Sequence, residues 1–232
     1  MSKKLSKEDL EQDLLIEYSS RFMYFYSQNK AAVLGGGIGI ILAVGLIIGY
    51  FFYSTQQEQQ AQVLLGSAEQ ALLMGNFEEA LYGDDDRFTL GFVQIARNYG
   101  RTNAGNLAKY YAAVSEFELG NFEEALNHME GFSPPRGILG VAPISMHANI
   151  LLELERYEDA ARMFERAANW DENTSTTPYN LFEAAQAYVE AGNKERALTH
   201  LNTILNDYEN SQAAAQAQRL RGMLTTRSGS GL

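Results

Sequence analysis

The residues best suited to chemistry are few and scattered in this sequence of 232 residues. Its three histidines, His128, His147 and His200, have neither the paired-histidine nor the HExxH spacing of a metal or catalytic site. Cysteine is absent, which excludes disulfides, thiolate metal sites and cysteine nucleophiles. We therefore expect the histidines at ordinary packing or surface positions, and we predict no enzymatic activity, no cofactor and no metal site.

Two short polar motifs and one tryptophan have the residue types of binding sites. The acidic triplet at 84–86 lacks the alternating ligands and the later glutamate of a calcium loop, so we expect a solvated loop. The triplet NTS at 173–175 fits a glycosylation acceptor, which matters only in a eukaryotic secretory pathway. Trp170, predicted on the same loop, is expected to pack rather than to bind a ligand.

The net charge of −11 lies entirely beyond residue 30, because residues 1–30 carry five basic and five acidic side chains. A large acidic domain repels phosphate backbones and anionic lipid surfaces. We therefore predict no nucleic-acid partner, and protein partners stay open.

An uncharged run fills residues 31–53, AAVLGGGIGIILAVGLIIGYFFY. At about 1.5 Å per residue, a helix of this length crosses a hydrocarbon core of about 30 Å, so the run predicts a transmembrane helix. A buried helix of a soluble protein is one alternative. A cleaved signal peptide is the other, but the 30 residues before the run exceed its usual n-region and no A-x-A site follows.

Basic residues predict the orientation of this helix. Lys3, Lys4, Lys7, Arg21 and Lys30 precede the run, whereas no lysine or arginine occurs between 31 and 86. By the positive-inside rule, the N-terminus is cytoplasmic and the large C-terminal part lies across the membrane.

Gly35, Gly39, Gly45 and Gly49 form two GxxxG pairs within a 120° stripe of the helix. Such a stripe lets another helix approach closely, either from a second copy of this chain or from another membrane protein. Glycine is also common in membrane helices, so the stripe has a second explanation.

The segment before the membrane predicts a short amphipathic helix at the cytoplasmic face. This helix either lies on the bilayer or docks on a partner helix. Its apolar residues are Leu10, Leu14, Leu15, Tyr18, Phe22, Phe25 and Tyr26.

The heptapeptide GNFEEAL occurs twice, at 75–81 and at 120–126, and weaker copies follow as ERYEDAA at 155–161 and GNKERAL at 192–198. The glycine can end one helix in the left-handed conformation, and the asparagine can cap the next helix with its side-chain oxygen. Each copy therefore predicts a corner between two helices, with the aromatic covering it and the alanine at the helix crossing. The corner residues are Gly75, Asn76, Phe77, Ala80, Gly120, Asn121, Phe122, Ala125, Tyr157, Ala160, Gly192, Asn193 and Ala197.

The four crossing alanines are spaced by 45, 35 and 37 residues, which is close to the period of helix-hairpin repeats. Near 83–86 an insertion explains the longer first spacing, with a further helix from Phe92 to Tyr99. The sequence resembles the tetratricopeptide repeat (TPR) family from about 58 to 224, with the best match at Ala113, Phe122 and Ala125. The resemblance implies paired-helix units, of which the third and fourth match only in part.

The predicted fold is therefore all-α, with an N-terminal transmembrane helix, a TPR-like α-solenoid and a C-terminal capping helix at 211–224 that begins on Ser211. The predicted segments are a cytoplasmic amphipathic segment (1–30), the transmembrane helix (31–53), a polar connector (54–62), the repeat domain (63–224) and a flexible tail (225–232).

This organisation resembles the bacterial YfgM-like family, ancillary subunits of the SecYEG translocon. The matching features are the aromatic run before residues 28–30, the glycine-rich anchor and the length of the repeat domain. The resemblance implies a single-pass protein of the bacterial inner membrane with a periplasmic C-terminal domain. Its implied partners are SecYEG and a PpiD-like prolyl isomerase or translocating chains.

Other roles stay open beside this one. An accessory or scaffold subunit of a different inner-membrane assembly, respiratory or envelope, has the same architecture. A eukaryotic organelle receptor also combines an anchor with TPRs, but its repeats usually face the cytosol, opposite to the orientation predicted here. An envelope enzyme comes last. Four tyrosines are candidate groove contacts, but most such residues should serve repeat packing, so we predict no binding residue. They are Tyr110, Tyr111, Tyr179 and Tyr188.

Overall fold

The computed structural model describes residues 7–84, 86 and 88–226, and side-chain surroundings from residue 16 onward. Within these residues every regular element is helical, which confirms the all-α class. The chain divides into two compact units, Met1–Gln56 and Gln57–Leu232. The α-helices are α1 (Lys7–Gln28), α2 (Lys30–Leu73), α3 (Phe77–Tyr82), α4 (Phe92–Asn98), α5 (Asn103–Glu118), α6 (Phe122–Glu130), α7 (Val141–Glu153), α8 (Tyr157–Trp170), α9 (Thr176–Glu190), α10 (Lys194–Asp207) and α11 (Gln212–Thr226).

The first unit contains the apolar part of α2, which is long and apolar enough to cross a membrane by length and composition. Asn29 separates α1 from α2 without breaking the backbone ladder, because its N–H donates to Phe25 at 3.0 Å and its carbonyl accepts from Val33 at 3.0 Å. The described aromatic side chains of α1, such as Tyr18 and Phe22, are exposed. The side chains of the three leucines predicted on its apolar face lie outside the described residues.

The polar connector predicted at 54–62 is not a separate segment, because it is part of α2. The physical reason is composition: no glycine or proline lies between Gly49 and Gly66, and glutamine and glutamate favour helix. A side-chain hydrogen bond from Gln62 to Glu58, at 3.1 Å, lies along this stretch.

Four helix corners have one common backbone geometry. The corner residue has a positive φ, +78°, +80° and +77° at Gly75, Gly120 and Gly192, and +57° at Glu155. Its N–H donates to the carbonyl three residues back, at 2.9–3.0 Å, and the next N–H donates to the carbonyl five residues back, at 2.7–2.9 Å. These are the two hydrogen bonds of a Schellman motif. The third corner adopts it without a glycine.

The asparagines that follow the corners were predicted to cap the next helix, and this is confirmed only at Asn193, whose Oδ1 accepts from the N–H three residues on, at 3.3 Å. The prediction is wrong for Asn76 and Asn121, which make no such bond. The side chain of Asn121 instead donates to Glu116 Oε2 at 2.8 Å. Because Glu116 is only 3% exposed, its carboxylate has little access to water and requires hydrogen-bond donors from the protein. The N–H groups at the start of α6 are less buried than this carboxylate and can bond to water.

The four alanines predicted at the helix crossings are buried. Ala80, Ala125, Ala160 and Ala197 are each 0% exposed, and each lies one turn after a corner. A side chain this small allows two helix axes to approach closely. Beside the second crossing, the rings of Phe117 and Phe122 pack at 5.4 Å across the corner.

The first hairpin departs from the regular array. After α3 the chain runs through a loop and then forms α4, an extra helix that begins at the predicted Phe92 and ends at Asn98, one residue early. Asp85, in the middle of the predicted acidic loop, lies outside the described residues. The loop and α4 account for the longer first spacing.

Helix α5 connects the first hairpin to the others. Ala112 belongs to the buried cluster of α2–α5, whereas Ala113 belongs to the cluster that extends to α11. The helix start is fixed from α2, because the carboxylate of Glu58 accepts from the N–H groups of Asn103 and Ala104 at 2.6 and 3.1 Å. A carboxylate at this position accepts hydrogen bonds from N–H groups that have no partner within the helix. Its negative charge also interacts favourably with the positive end of the helix dipole.

Helix α11 ends the described array and buries Ala213, Ala214 and Ala217. It begins one residue after Ser211, whose buried hydroxyl has no hydrogen-bond partner, so the predicted serine cap is wrong. The helix also includes residues 225–226, which were predicted to belong to the flexible tail. The remainder of that tail lies outside the described residues.

The corner conformation predicts opposite effects of two substitutions on stability. Gly120→Ala should lower the free energy of unfolding by about 1–2 kcal/mol, because an L-residue is strained in the left-handed conformation. Glu155→Gly should raise it by about 0.5–1 kcal/mol, since relief of that strain exceeds the about 0.4–1 kcal/mol that glycine adds to unfolded-chain entropy. Denaturant unfolding of the full chain in detergent, followed by fluorescence of the single tryptophan, Trp170, measures both.

Gly66→Ala is the control, because Gly66 lies inside α2 with open space around it and no positive φ. Alanine there should stabilise by about 0.5–1 kcal/mol. If Gly120→Ala and Gly66→Ala shift the unfolding midpoint in the same direction, the corner conformation does not contribute as argued.

Candidate functional site

A groove of about 890 Å³ is formed in the second unit by α5, α7, α9 and α11. The first three are the first helices of successive hairpins, and α11 follows the last hairpin. None of the groove-lining residues carries a charge. In a chain with 18 basic and 29 acidic residues, a surface of this size without charge is unusual.

Helix α7 contributes one continuous face to the groove, namely Ala142, Ser145, Met146 and Asn149. Their spacing of i, i+3, i+4 and i+7 places them on one side of a helix. The other side of α7 is buried and includes Ile144, Ala148 and Leu151. One face of α7 therefore packs in the core, and the opposite face lines the groove.

The groove floor is a hydrogen-bonded pair between two helices. The hydroxyl of Ser145 on α7 donates to Oδ1 of Asn180 on α9 at 2.6 Å. The amide nitrogen of Asn180 then donates to the carbonyl of Thr176 at 2.9 Å. Asn180 is only 1% exposed, so its polar groups are satisfied inside the protein. The pair fixes α7 against α9.

One groove wall is the loop that begins α9. Asn173 Oδ1 accepts from the N–H groups of Ser175 and Thr176 at 2.9 and 2.8 Å. Its side-chain amide donates to the carbonyl of Asp171 and to the hydroxyl of Thr176, both at 2.7 Å. The glycosylation triplet at 173–175 is therefore a turn in which the asparagine side chain both accepts and donates hydrogen bonds. The turn holds residues 174–176 at the groove.

The opposite rim includes Ile138, in a short 3-10 turn, Ile138–Gly140, whose position depends on Trp170. The indole N–H donates to the carbonyl of Pro135 at 2.9 Å, and Arg166 lies over the ring at 5.3 Å. A Cβ at Gly140 would overlap both the indole and that carbonyl. Trp170 was predicted on a loop, but it is the last residue of α8, and its contacts are packing contacts as expected.

Three side-chain amides at the groove are unpaired within the part of the chain that the structure describes. Asn149 on α7 and Gln212 and Gln216 on α11 line the groove, and within the described residues these amides hydrogen-bond to no other side chain or backbone group. Asn149, Gln212 and Gln216 are exposed. Each amide offers donors and an acceptor to a bound molecule.

A cavity with charged residues adjoins the groove. A second cavity of about 330 Å³, lined by Gln216, Glu183 and Arg219, adjoins the groove at Gln216. Burial raises the pKa of the Glu183 carboxyl above its ordinary value, and a hydrogen bond with Tyr179 opposes this increase. Charged side chains therefore lie directly beside the uncharged groove.

The four tyrosines considered from sequence divide between groove and core. Tyr110 and Tyr179 line the groove. Tyr111 instead packs on Phe92 at 5.3 Å, and burial beside Glu69 raises its pKa to about 12. Tyr188 is 0% exposed, so it cannot contact a ligand.

Tyr188 is the centre of a polar cluster between α8, α9 and α10. Its hydroxyl donates to Glu165 at 3.0 Å and accepts from Arg196, and burial raises its pKa. His200 contacts the same carboxylate at 2.7 Å and stacks on the Tyr188 ring at 5.7 Å. All four groups are paired with one another, so the cluster joins the last two hairpins and offers no open position to a substrate.

His147 lies apart from this cluster. Burial lowers the pKa of His147, which lines a small cavity of about 80 Å³ beside Glu130 and Arg166. Across the described part of the chain, no group of three or more histidine, aspartate or glutamate side chains is arranged to hold a metal ion. The groove is therefore the candidate functional site.

The sequence pattern did not predict four of the groove residues, Ser145, Asn149, Gln212 and Gln216. A signal was present in α7, where uncharged residues at 142, 145, 146 and 149 form a second face opposite the buried one. That face alone does not indicate a groove, because its neighbours lie on α9 and α11, tens of residues away. Only their packing brings these side chains together.

A comparison with protein-family models matches residues 151–221 to the Tetratricopeptide repeat family. The matched region begins in α7 and ends in α11, and it includes the two corners with the weaker heptapeptide copies. The unit around Ala125, predicted to match best, lies outside it. Comparisons with curated proteins and with solved structures found no match. The chain thus contains tetratricopeptide repeats, which are protein–protein interaction modules, in an α-solenoid.

The groove floor predicts a stability effect at Asn180. Asn180→Ala should lower the free energy of unfolding by about 1–3 kcal/mol, because it removes two side-chain hydrogen bonds at a position that is only 1% exposed. Asn169→Ala is the control, since Asn169 is exposed on α8, and it should change stability by less than about 0.5 kcal/mol. Equal unfolding midpoints for the two variants, measured by Trp170 fluorescence, would contradict the role assigned to the pair.

Proposed function

We propose that this protein is a membrane-anchored interaction module that holds a segment of another protein in the groove between α7, α9 and α11. The observation that carries the proposal is that the groove has unpaired side-chain amides, while the polar groups of its floor are hydrogen-bonded within the protein. A TPR array supplies such a surface without needing chemistry of its own. On this proposal the protein is not an enzyme.

The proposed location is the bacterial inner membrane, with α1 in the cytoplasm and the repeat unit in the periplasm. Three observations support it. The apolar part of α2 is long enough to span, and the basic residues lie on its N-terminal side. The excess negative charge of the repeat unit disfavours contact with anionic lipid.

The proposed partners are the SecYEG translocon and either a PpiD-like prolyl isomerase or translocating chains. The support is the resemblance of the anchor and of the overall organisation to the YfgM-like family. In this role, α2 docks on a translocon component through the stripe of Gly35, Gly39, Gly45 and Gly49, while the groove binds the periplasmic partner.

A scaffold subunit of another inner-membrane complex is the second candidate. The observation that favours it is α1, whose described aromatic side chains are largely exposed on a helix in the unit that also holds the apolar span. Such a helix suits a partner helix as well as a bilayer surface. The two candidates differ in which membrane proteins the chain contacts.

Protease accessibility tests the orientation. In intact spheroplasts, added protease should digest the repeat unit and leave an N-terminal epitope protected, because the repeat unit is proposed to face the periplasm. A cytoplasmic protein serves as the control for membrane integrity. Resistance of the repeat unit until the membrane is breached would show that the orientation is reversed.

Site-specific photo-crosslinking tests the groove and its partners. A photoreactive phenylalanine analogue at Tyr179 should give protein adducts, whereas the same analogue at Tyr82 should not. The two tyrosines are matched in exposure, 55% and 58%, but only Tyr179 lines the groove. Mass spectrometry of the adducts then identifies the partner.

Adducts with a periplasmic isomerase or a secreted chain, together with co-purified SecY, support the translocon role. Recovery of a different stoichiometric membrane complex would favour the scaffold role instead. Equal adducts from Tyr179 and Tyr82, or none from either, would refute binding in the groove.

A further inference from the structure

Helix α2 starts the repeat array, and one of its sides in the second unit is not covered by any of the described residues. Its buried side, with Ala61, Leu65 and Ala68, packs against α3, α4 and α5. On the opposite side, Val63 and Leu73 are 76% and 85% exposed. Two large apolar side chains therefore contact solvent where the array begins.

Five exposed residues on this side of α2 are spaced as in a pair of helices. Successive members lie four, three, four and three residues apart, which is the heptad spacing of a face that follows a partner helix along its length. These residues form the α2 seam, which consists of Gln59, Val63, Gly66, Gln70 and Leu73.

The α2 seam carries no charge. The segment 57–73 contains only two charged residues, and both lie against α5. Glu58 accepts from the first N–H groups of α5, and Glu69 lies beside Tyr111 of the same helix. The outward side of this segment is therefore neutral.

The absence of charge decides which partner the seam suits. The net charge of −11 lies beyond residue 30, so two copies of this chain repel each other over most of their surface. At the edge of the seam, Glu79 of α3 accepts a hydrogen bond from Asn76 at 3.3 Å. A charged partner gains no counter-ion from the seam residues, whereas a second copy supplies a matching neutral face.

The seam is also complementary to itself. In a two-fold symmetric pair, each residue near the axis contacts its own equivalent. Val63 and Leu73 then bury apolar surface against their equivalents. The side-chain amide of Gln70, which has no hydrogen-bond partner among the described residues, can both donate to its equivalent and accept from it.

The membrane anchor sets the direction of such a pair. Two copies that insert in the same way have parallel α2 helices, and this arrangement brings equivalent seam residues together. A β-branched residue at one heptad position, leucine at the other and a single polar residue favour a parallel pair of helices, as with Val63, Leu73 and Gln70.

We infer that the α2 seam pairs two copies of this protein as a parallel helix dimer outside the membrane span. The inference goes beyond the proposed function, since it uses neither the groove nor a translocon partner. Two heptads bury less surface than the about 1,200 Å² of a standard interface, so the shared membrane contributes by raising the effective concentration of the two copies. Each dimer carries the groove twice.

Disulfide crosslinking in membranes tests the pairing, because the chain has no cysteine of its own. Val63→Cys and Leu73→Cys are each co-expressed as two copies with different epitope tags and are oxidised with copper phenanthroline. Only residues that face each other across the axis come within the about 7 Å between Cα atoms that a disulfide allows. We expect a product at twice the monomer mass that carries both tags.

Gln62→Cys is the matched control, because Gln62 is also exposed on α2 but lies about 100° around the helix from Val63. Its crosslinking rate should be at least about tenfold lower than that of Val63→Cys. Since the two variants differ by one position on the same helix, the control measures random collision.

Charge substitution provides a second measurement, by energy transfer between dyes attached to Asn169→Cys on α8 in nonionic detergent. Val63→Lys and Val63→Glu should each raise the Kd of the dimer at least about tenfold, because like charges meet at the axis. A mixture of the two variants should associate at least about tenfold more tightly than either alone, which a folding defect cannot explain. Gln62→Lys, the control, should change the Kd less than about twofold.

Four outcomes would overturn the inference. The first is equal crosslinking rates for Val63→Cys and Gln62→Cys, and the second is the absence of a product from both seam variants. The third is a crosslinked product that never carries both tags, which would show that another protein covers the seam. The fourth is a mixture of the charge variants that associates no more tightly than either alone.

These outcomes are separate from those that test the proposed function. If Tyr179 gives specific adducts while no seam crosslink forms, the groove binds a partner and only the pairing is wrong. If seam crosslinks form and Tyr179 gives no adducts, the pairing holds and binding in the groove is wrong.

Discussion

The burial of four alanines, one in the second helix of each pair, is the constraint on which the repeat unit depends. Ala80, Ala125, Ala160 and Ala197 are fully buried, and each follows a corner whose backbone has a positive φ. The corner directs the chain back on itself, and the small side chain lets the second helix pack against the first. With one face of each first helix buried in this way, the opposite faces of α5, α7 and α9 are left to form the groove.

The helical fold could be predicted because its local and tertiary signals agree. The repeated heptapeptide places a left-handed residue, an aromatic and a small crossing residue in the same order each time, so the chain turns where the sequence indicates. The exceptions have specific causes. Glu155 shows that tertiary packing can impose the corner conformation on a residue that disfavours it. Asn121 does not cap α6, because its side-chain amide donates to the buried carboxylate of Glu116.

The groove was harder to predict, because its parts come from helices of separate hairpins. The uncharged face of α7 is visible as a spacing pattern, but the partnership of Ser145 with Asn180 joins residues 35 positions apart. Residue type was also a poor guide to exposure, since Tyr179 lies at the groove and Tyr188 in the interior. The neighbouring residues cause this difference. The hydroxyl of Tyr188 is hydrogen-bonded to Glu165 and Arg196, so it can be buried without losing its hydrogen bonds.

Helix α5 gives the array a property that neither of its buried clusters has alone. Ala112 and Ala113 are adjacent in sequence but belong to different clusters, and Glu58 of α2 holds the start of the helix. Opening the first hairpin therefore exposes one face of α5 and releases its N-terminal amides, which weakens the packing of the other face. In a repeat protein, where coupling passes only between neighbours, such a shared helix makes the irregular first hairpin and the regular array open as one cooperative unit.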